Sequence, residues 1–452
     1  MLSAMFAKWI RLLWLVLFST TLHSFAQNAV DMKPSPQQVA WQDMEMGAII
    51  HFGPNTFLDQ EWGDGSADPK TFAPTAFDPE QWMRAIRAAG IKYVVFVAKH
   101  HDGFCLWPTE QTNYSMKSSP WEGGKGDVVR RVEEAARKYG LKFGVYLSPW
   151  DRHEPRYTNA ADYDKYYLAE LDELSQHYGP LAEFWLDGAG SGGHVYNFAR
   201  YVEELRMSQP NTLVFADMAL FEYGDIRWAG NEDGTISEEN WNAIDRHGYL
   251  RWRPAEADTP LRKLHWFWHP NDEASLKTVD ELMETYNKTV GHGGQLMLGL
   301  APDRRGLLPE SDAKRLEEFG AAIQKTYGHN LMAQRTPASG EAALALDGDS
   351  NTFWSAPAGS RHAVIEADFP KPVTFDHALV MEWINEGQKA EKYSIEIFKD
   401  GKWVSVASGQ AIGHKKIEEF PAVTSQRVRL NILSSAGEAR IREFQIFQSN
   451  GQ

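Results

Sequence analysis

Cysteine is almost missing from this chain of 452 residues: Cys105 is the only one. No intramolecular disulfide can form, so the fold must be held by a packed core and not by covalent staples. Positive charge is the second scarcity. The 46 lysines and arginines are outnumbered by 61 aspartates and glutamates, for a formal charge of −15. Such a chain repels phosphate backbones and anionic membranes, which excludes nucleic acid as the expected partner and favours a neutral one. Membrane-length apolar runs are scarce as well. The stretch Leu12–Leu22 is about half of the roughly 20 residues needed to span a bilayer.

That stretch reads instead as a secretory leader. Lys8 and Arg11 precede it, and Ser24-Phe25-Ala26 supplies small residues at the −3 and −1 positions before Gln27. The expectation is a signal peptide over 1–26 and a secreted or periplasmic mature protein with no membrane span. No cysteine directly follows the apolar stretch, so a lipid anchor is not expected there.

What is present suits a globular enzyme. Apolar residues make up 43% and charged residues 24%, ordinary proportions for a packed fold. The length fits a barrel-sized domain followed by a smaller one. From Trp41 to Tyr327 apolar strand-like runs alternate with amphipathic helical stretches. The predicted strands are Met46–His51, Tyr93–Ala98, Lys142–Leu147, Leu181–Leu186, Thr212–Ala216, Asp225–Gly230, Lys263–Trp268 and Gln295–Leu300. Helical patterns such as Asp78–Ala89 and Asp127–Tyr139 lie between them, the second stopping at Gly140. Eight such units predict an α/β fold, a (β/α)8 TIM-like barrel over 27–335. A doubly wound open sheet would carry a glycine-rich phosphate turn after its first strand, and Ile50-His51-Phe52-Gly53-Pro54 is not one. Beyond Tyr327-Gly328 the texture changes to short alternating strands, Ala363–Phe369, Ala378–Glu382, Tyr393–Lys399, Val404–Ala407, Val428–Ile432 and Glu443–Phe447. These predict an antiparallel β-sandwich over 336–452.

In such a barrel the active site lies where the strands end. His51, Glu61-Trp62, Lys99-His100-His101-Asp102, Tyr146, Trp150-Asp151-Arg152, Asp187-Gly188, Asn231-Glu232-Asp233, Trp268-His269 and Asp303-Arg304 all fall there. Imidazoles and carboxylates hydrogen-bond hydroxyls, and indoles cover apolar C–H faces, so this rim fits a sugar. Cleaving a glycoside requires two carboxyl groups. Asp187 is the candidate nucleophile because it follows Phe184-Trp185-Leu186 on a rigid strand, with Gly188 leaving room; an aspartate there would also suit an Asx turn or a helix N-cap. Glu222, Glu232, Asp233, Glu238 and Glu239 compete for the acid/base role, and Glu232 is favoured because it directly follows the sixth strand. No catalytic metal is expected, since adjacent histidines on a strand end point to opposite sides.

The segments His51-Phe52-Gly53, Lys99-His100-His101-Asp102-Gly103-Phe104, Gly144-Val145-Tyr146-Leu147-Ser148-Pro149-Trp150 and Glu183-Phe184-Trp185-Leu186-Asp187-Gly188 resemble family 29 of the glycoside hydrolases, the α-L-fucosidases. The resemblance runs from about Gln38 to Tyr327. It implies that Asp187 is the nucleophile of a retaining enzyme, and that His51, Glu61, Trp62, His100, His101 and Tyr146 line a fucose pocket. Trp268 would meet the apolar side of the sugar. Arg227-Trp228-Ala229-Gly230-Asn231-Glu232 and Trp150-Asp151-Arg152-His153 resemble the branch that cleaves α-1,3/1,4-linked fucose, with Glu232 as acid/base. The implied partner is a fucosylated oligosaccharide or glycoconjugate, and no cofactor is implied for catalysis. The run Leu346-Asp347-Gly348-Asp349-Ser350-Asn351-Thr352-Phe353-Trp354 resembles the opening of discoidin-like, coagulation factor type C sandwiches. A structural calcium held by Asp347, Asp349, Thr352 and Glu443 is implied there, against a plain Asp-Gly turn without an ion. Two rival readings remain: a carbohydrate-binding protein without catalysis, and a glycosidase for another or a sulfated 6-deoxy sugar. Arg304 and Arg305 would favour the latter if they reached the pocket.

Overall fold

The computed structural model describes residues 31–216, 223–243, 248, 250–263, 265–336 and 341–449. The leader expected over 1–26 lies outside the described residues, as does Glu222. Eight strands make one sheet: β1 (Met46–Ile50), β2 (Tyr93–Lys99), β3 (Lys142–Leu147), β4 (Glu183–Leu186), β5 (Leu213–Ala216), β6 (Arg227–Trp228), β7 (Ala255–Pro260) and β8 (Gln295–Leu300). Their order is β5-β4-β3-β2-β1-β8-β7-β6, and every pairing between these strands is parallel. A parallel bridge between Phe215 and Ile226 closes the ring between the two ends. Helices wrap the outside: α1 (Pro36–Gln42), α2 (Pro54–Leu58), α3 (Pro79–Ala88), α4 (Val128–Lys138), α5 (Ala160–His177), α6 (Phe198–Ser208), α7 (Val279–Thr289) and α8 (Glu310–Tyr327). No helix among the described residues is long and apolar enough to cross a membrane.

Local chemistry sets these boundaries. Asp78 and Asp127 cap α3 and α4 by accepting from Gln81 N and Arg130 N, which satisfies amides that have no intrahelical partner. The chain leaves α4 through Gly140 at φ +72°, a left-handed exit that costs glycine little. Gly47 in β1 faces the Tyr93 ring, where any Cβ would sit 2.3 Å from Cζ, so the barrel floor admits only glycine there.

Seven predicted strands coincide with observed ones, although β6 is shorter than predicted. The seventh does not. Residues 263 and 265–268 are turn and loop, and the strand is Ala255–Pro260. Its sequence, Ala-Glu-Ala-Asp-Thr-Pro, lacks an apolar run because Glu256 and Asp258 occupy buried positions inside the barrel. The interior explains why acids are tolerated. Glu256 accepts from Trp185 Nε1 at 2.9 Å and Tyr93 OH at 3.1 Å, and Glu183 accepts from Trp41 Nε1 at 3.0 Å. These rings pack with Ile49, Val95, Val97 and Met297 as the inner core, while a larger core lies between strands and helices.

The C-terminal domain is an antiparallel sheet of β9 (Trp354–Ser355), β10 (Ala363–Glu382), β11 (Ala390–Lys399), β12 (Lys402–Gly409), β13 (Lys416–Ser435) and β14 (Arg440–Phe447). The order is β12-β11-β13-β10-β14-β9. Two predicted strands merge into β10, whose register shifts between Asp368 and Val373, where Pro370 and Pro372 interrupt the pairing. Trp354, Ile365, Phe375, Tyr393, Leu430, Ile441 and Phe444 form this domain's own core.

The buried acids of the barrel make stability depend on pH. Burial pushes Glu183 up to about 8, and burial with the Glu183 charge holds Glu256 well above the carboxylate range. Unfolded, both would titrate near 4.5. The folded state therefore binds more protons than the unfolded one above that pH, and stability falls as pH rises towards 8. Glu256→Gln retains an acceptor for Trp185 without a proton to lose. Thermal melts from about pH 5 to about pH 9 should show a smaller decline in Tm for this variant than for wild type. Parallel declines would refute the assignment.

Candidate active site

The C-terminal strand ends converge on a cavity of about 300 Å3. β1 contributes Ile49 and, just past its end, His51; the turn after β2 contributes His100 and His101; β3 contributes Tyr146. β4 presents Trp185 and leads to Asp187, β5 presents Phe215, and β7 presents Asp258. Trp228 of β6 and Glu232 beyond it complete that wall, and loops add Glu61, Trp62 and Trp266. Eight of the nine sugar-site and catalytic residues expected from sequence thus meet in one place.

Asp187 is fixed by three neighbours. Tyr146 OH donates to Oδ2 at 2.8 Å, His101 Nε2 stands 3.5 Å from the same oxygen, and Ala189 N donates to Oδ1 at 2.8 Å. The last contact is the Asx turn that sequence allowed as a local role, so the aspartate shapes its turn and still points an oxygen at the cavity. The turn passes close to Trp150. Gly190, at φ +71°, leaves no space for a side chain, since a Cβ would lie 1.9 Å from the indole.

The histidines are neutral. Burial, with His101 nearby, lowers His51 to about 3, and burial with the other two imidazoles takes His100 well below its usual value. Burial also lowers His101, although Asp187 opposes it. Neutral imidazoles both donate and accept, which matches sugar hydroxyls. His101 is oriented by Ser148 Oγ at 2.7 Å from Nδ1. Behind them Lys99 is buried, its Nζ 3.1 Å from Asp151 Oδ2 and 2.5 Å from Glu170 Oε2.

Glu61 has a second task besides lining the cavity. Its carboxylate accepts from Trp266 N at 2.9 Å and Phe267 N at 3.1 Å, and lies 2.6 Å from His269 Nε2. His269 in turn meets Asp59 at 2.5 Å. Burial alone would lower the His269 pKa, but hydrogen bonds to Glu61 and Asp59 outweigh it and raise the value. The first and seventh loops are bolted together through this carboxylate.

Trp266, not Trp268, therefore faces the cavity. Trp268 lies against the Arg304 guanidinium, 5.6 Å from ring centroid to Cζ. The seventh strand ends eight residues earlier than predicted, at Pro260, so the loop residue that meets the cavity is an earlier one. Arg304 donates to Thr56 O and Arg305 pairs with Asp303 and Glu310; neither lines the cavity. Sequence reasoning also missed Trp185, Phe215, Trp228 and Asp258. Trp185 lies two residues before Asp187 and so shares its face of the strand, a signal that was available. Asp258 was hidden in the misplaced strand. It accepts from Trp228 Nε1 at 2.6 Å, and burial holds its pKa well above normal, so it is a protonated wall group.

The competing acids separate in space. Glu232 sits exposed on the lip and lines the cavity. Partial desolvation raises its pKa against a hydrogen bond with Trp266, and the charges on Asp187, Glu61 and Asp233 raise it further. Glu238 and Glu239 face a different groove, beside Lys392, Tyr393 and Ser408 of the C-terminal domain.

A barrel rim of neutral imidazoles, indoles and carboxyls around a space for one monosaccharide serves sugar hydrolysis, and the class is that of the glycoside hydrolases. The α-L-fucosidase family model matches residues 19–328, and the F5/8 type C domain model matches 330–444. The chain belongs to the α-L-fucosidase family, glycoside hydrolase family 29, and its activity is that of an α-L-fucosidase. It is 35% identical over 430 residues to α-L-fucosidase 1 of Arabidopsis thaliana, covering 87% of this chain and 83% of that one. It is 28% identical over 308 residues to human plasma α-L-fucosidase, covering 63% and 61%. A family 29 fucosidase of Ruminococcus gnavus, solved with fucose, superposes with a TM-score of 0.85 at 27% identity over 93% of this chain and 95% of that one.

The Tyr146 contact yields a direct test. Tyr146→Phe removes one hydrogen bond to a charged carboxylate and leaves the ring stack on Trp185 in place. Fucosidase kcat/KM should drop by about 10- to 100-fold, the worth of a charge-assisted bond, with Tm nearly unchanged. Wild-type turnover in this variant would show that the contact is not used.

Proposed function

We propose that the enzyme removes terminal α-L-fucosyl residues with retention of configuration, Asp187 acting as nucleophile and Glu232 as acid/base. The observation that carries this is the contrast between two carboxyls at one cavity. Asp187 is clamped by Tyr146 and His101, while Glu232 stands on the exposed lip where partial burial and neighbouring negative charge favour its proton. Asp187 attacks the anomeric carbon as Glu232 gives its proton to the departing glycosidic oxygen. Water then attacks the glycosyl-enzyme, Glu232 takes the water proton, and Asp187 leaves as carboxylate. Ile49, Trp185 and Phe215 give the cavity an apolar side suited to the methyl group of a 6-deoxy sugar. Among the described residues no lysine or arginine lines it, which favours a neutral sugar over a sulfated one. The segments Trp150–His153 and Arg227–Glu232, together with Trp62 at 52% exposure on the lip, support a branched α-1,3/1,4-linked fucose as substrate.

The choice among the acids leaves a kinetic signature. Glu232→Ala should lose about 100-fold or more on a fucosylated oligosaccharide, whose leaving group needs a proton, and far less on a nitrophenyl fucoside. Glu238→Ala and Glu239→Ala should not show that dependence. Asp187→Asn should be nearly inactive on both, and azide should rescue Asp187→Ala by giving an inverted fucosyl azide. A leaving-group-dependent loss in Glu238→Ala or Glu239→Ala, and not in Glu232→Ala, would overturn the acid/base assignment alone.

A structural calcium in the C-terminal domain belongs to the same reading. Thr352 Oγ1 lies 3.0 to 3.1 Å from Leu344 O, both Asp347 carboxylate oxygens and Asp349 O. One hydroxyl has a single proton, so four oxygens at that range suit a hard cation better than hydrogen bonding. Glu443 Oε1 is buried without a partner among the described residues. Burial lifts the Glu443 pKa to about 7 against a Gln445 hydrogen bond, and Asp347 adds to the rise. The Asp349 carboxylate accepts from Asn351 instead, so Asp349 would offer its carbonyl. No three acidic, histidine or cysteine side chains among the described residues gather for a metal, so backbone oxygens are needed. The ion would brace the loop that opens the domain and take no part in catalysis. A chelator should lower Tm by several degrees and calcium should restore it, and Glu443→Gln should abolish the response. Melts unaffected by chelator and calcium would dismiss the site.

A further inference from the structure

The segment that leaves β6 carries Glu232 near its start and runs on to Asn242 against the C-terminal domain. Its first half is pinned by the barrel. Ala229 N donates to Glu256 O at 2.7 Å, Ile236 N donates to Lys288 O at 3.0 Å, and His292 Nδ1 lies 2.7 Å from Ile236 O. Its second half is pinned from the other domain. Lys416 Nζ donates to Glu238 O at 2.8 Å. The Gln388 carboxamide donates to Asn240 O at 3.0 Å and accepts from Asn242 N at 3.2 Å, as a paired strand would.

These contacts cost too much to be incidental. Gln388 and Lys416 are 2% and 1% exposed, and burying an amide and an ammonium is tolerated only where partners replace water. Burial lowers the Lys416 pKa while Glu418 and Glu238 oppose the shift; it spends its ammonium on a backbone carbonyl of the segment. The same strand also grips the end of α7, from which the pins at Ile236 arise. Ile417 N donates to Gly291 O at 2.9 Å, and Lys416 bridges His292. His292 O in turn accepts from Asn240 Nδ2 at 3.0 Å. Among the described residues most fastenings of the segment beyond Thr235 lead to β13, to Gln388 or to the helix end that β13 holds; the Arg227 Nη2 bond to Asn240 Oδ1 and the Arg253 N bond to Asn242 O come from the barrel.

We infer that the C-terminal domain is part of the catalytic apparatus: Gln388 and Lys416 are positioning residues that set the segment bearing Glu232. They touch no substrate and act through the peptide groups of Glu238, Asn240 and Asn242. The domain's role is then geometric, whether or not it also binds sugar. This rests on the reading of Glu232 as acid/base.

Gln388→Ala and Lys416→Met in the full-length enzyme test it, with Lys416→Arg as the conservative variant that keeps a donor. Proton donation depends on placement, so the first two should lose about tenfold in kcat/KM on a fucosylated oligosaccharide and little on a nitrophenyl fucoside. The alkaline limb of the pH profile should move for them, and Lys416→Arg should recover most of the loss. Placed in Glu232→Ala, Gln388→Ala should add nothing further on the oligosaccharide. Equal losses on both substrates, or losses that add to those of Glu232→Ala, would mean a merely structural role and overturn the inference. If Gln388→Ala unfolds the domain, Lys416→Met and Lys416→Arg carry the same comparison. Failure of the Glu232 reading is told apart because Glu232→Ala alone would then lack the leaving-group dependence.

Discussion

Lys99 ends β2 fully buried, with its ammonium between Asp151 and Glu170 and over the rings of Tyr163, Tyr166 and Tyr167. Three elements meet at this one cation: the second strand, the loop after the third, and helix α5. Isolated charges at such depth cost several kcal/mol each, and only the close geometry makes the cluster tolerable. Burial would strip the proton from Lys99, yet the two carboxylates outweigh it and hold the ammonium charged. Removing the cation would leave two buried carboxyls facing each other, a loss of roughly 3–5 kcal/mol. His100 and His101 follow Lys99 directly, and Asp151 Oδ1 organises the next turn by accepting from His153 N and Glu154 N. The rim of the sugar cavity is thus built outward from an ion pair that the substrate never touches.

With the positive charge kept behind the wall, the cavity itself is electrically sparse. His51, His100 and His101 are neutral, and Asp258 is protonated. Asp102, just outside, is raised to about 7 by burial and by Asp151. Asp187 therefore sits among neutral partners, and its charge is felt across the cavity at Glu232. Low polarity around a fixed carboxylate strengthens its attraction for the positive charge that develops at the anomeric carbon. The asymmetry needed for two carboxyls to do different work arises from placement: one is clamped by donors, the other is left at the lip among acids.

Much of this could be read in the sequence because parallel strands buried on both faces are apolar runs. Tyr93–Ala98 and Gln295–Leu300 stand out for that reason, and the polar residues that follow them fall at the rim by the geometry of the fold. The reading failed where a strand carries acids into the interior. Ala255–Pro260 hides Glu256 and Asp258 behind hydrogen bonds from Trp185, Tyr93 and Trp228, partners that only the closed barrel brings near. The error passed on to Trp268, since the tryptophan that meets the cavity is chosen by where the seventh strand stops. The role of Gln388 was equally invisible: a buried amide that pairs with a segment 148 residues away leaves no local pattern.

The weak seam of the barrel explains where the second domain docks. Between β5 and β6 a single bridge among the described residues, Phe215 to Ile226, joins the sheet, and β6 is two residues long. A wall with so few ladder bonds holds the segment that leaves it, which bears Glu232, chiefly through its first half, at Ala229 and Ile236. Elsewhere the rim loops are fixed from within the barrel, by Lys99 on one side and by Glu61 with His269 on another. On the seam side the fastening comes from Gln388, Lys416 and the helix end beneath them. Further contacts, Arg442 to Asp43 at 2.6 Å and His414 Nε2 to Gln42 O at 2.8 Å, seat the same domain beside the entry to β1. A domain anchored at two points of the barrel resists rotation, which a single patch would permit. The C-terminal sheet can then transmit a fixed position to a loop that the barrel leaves underdetermined.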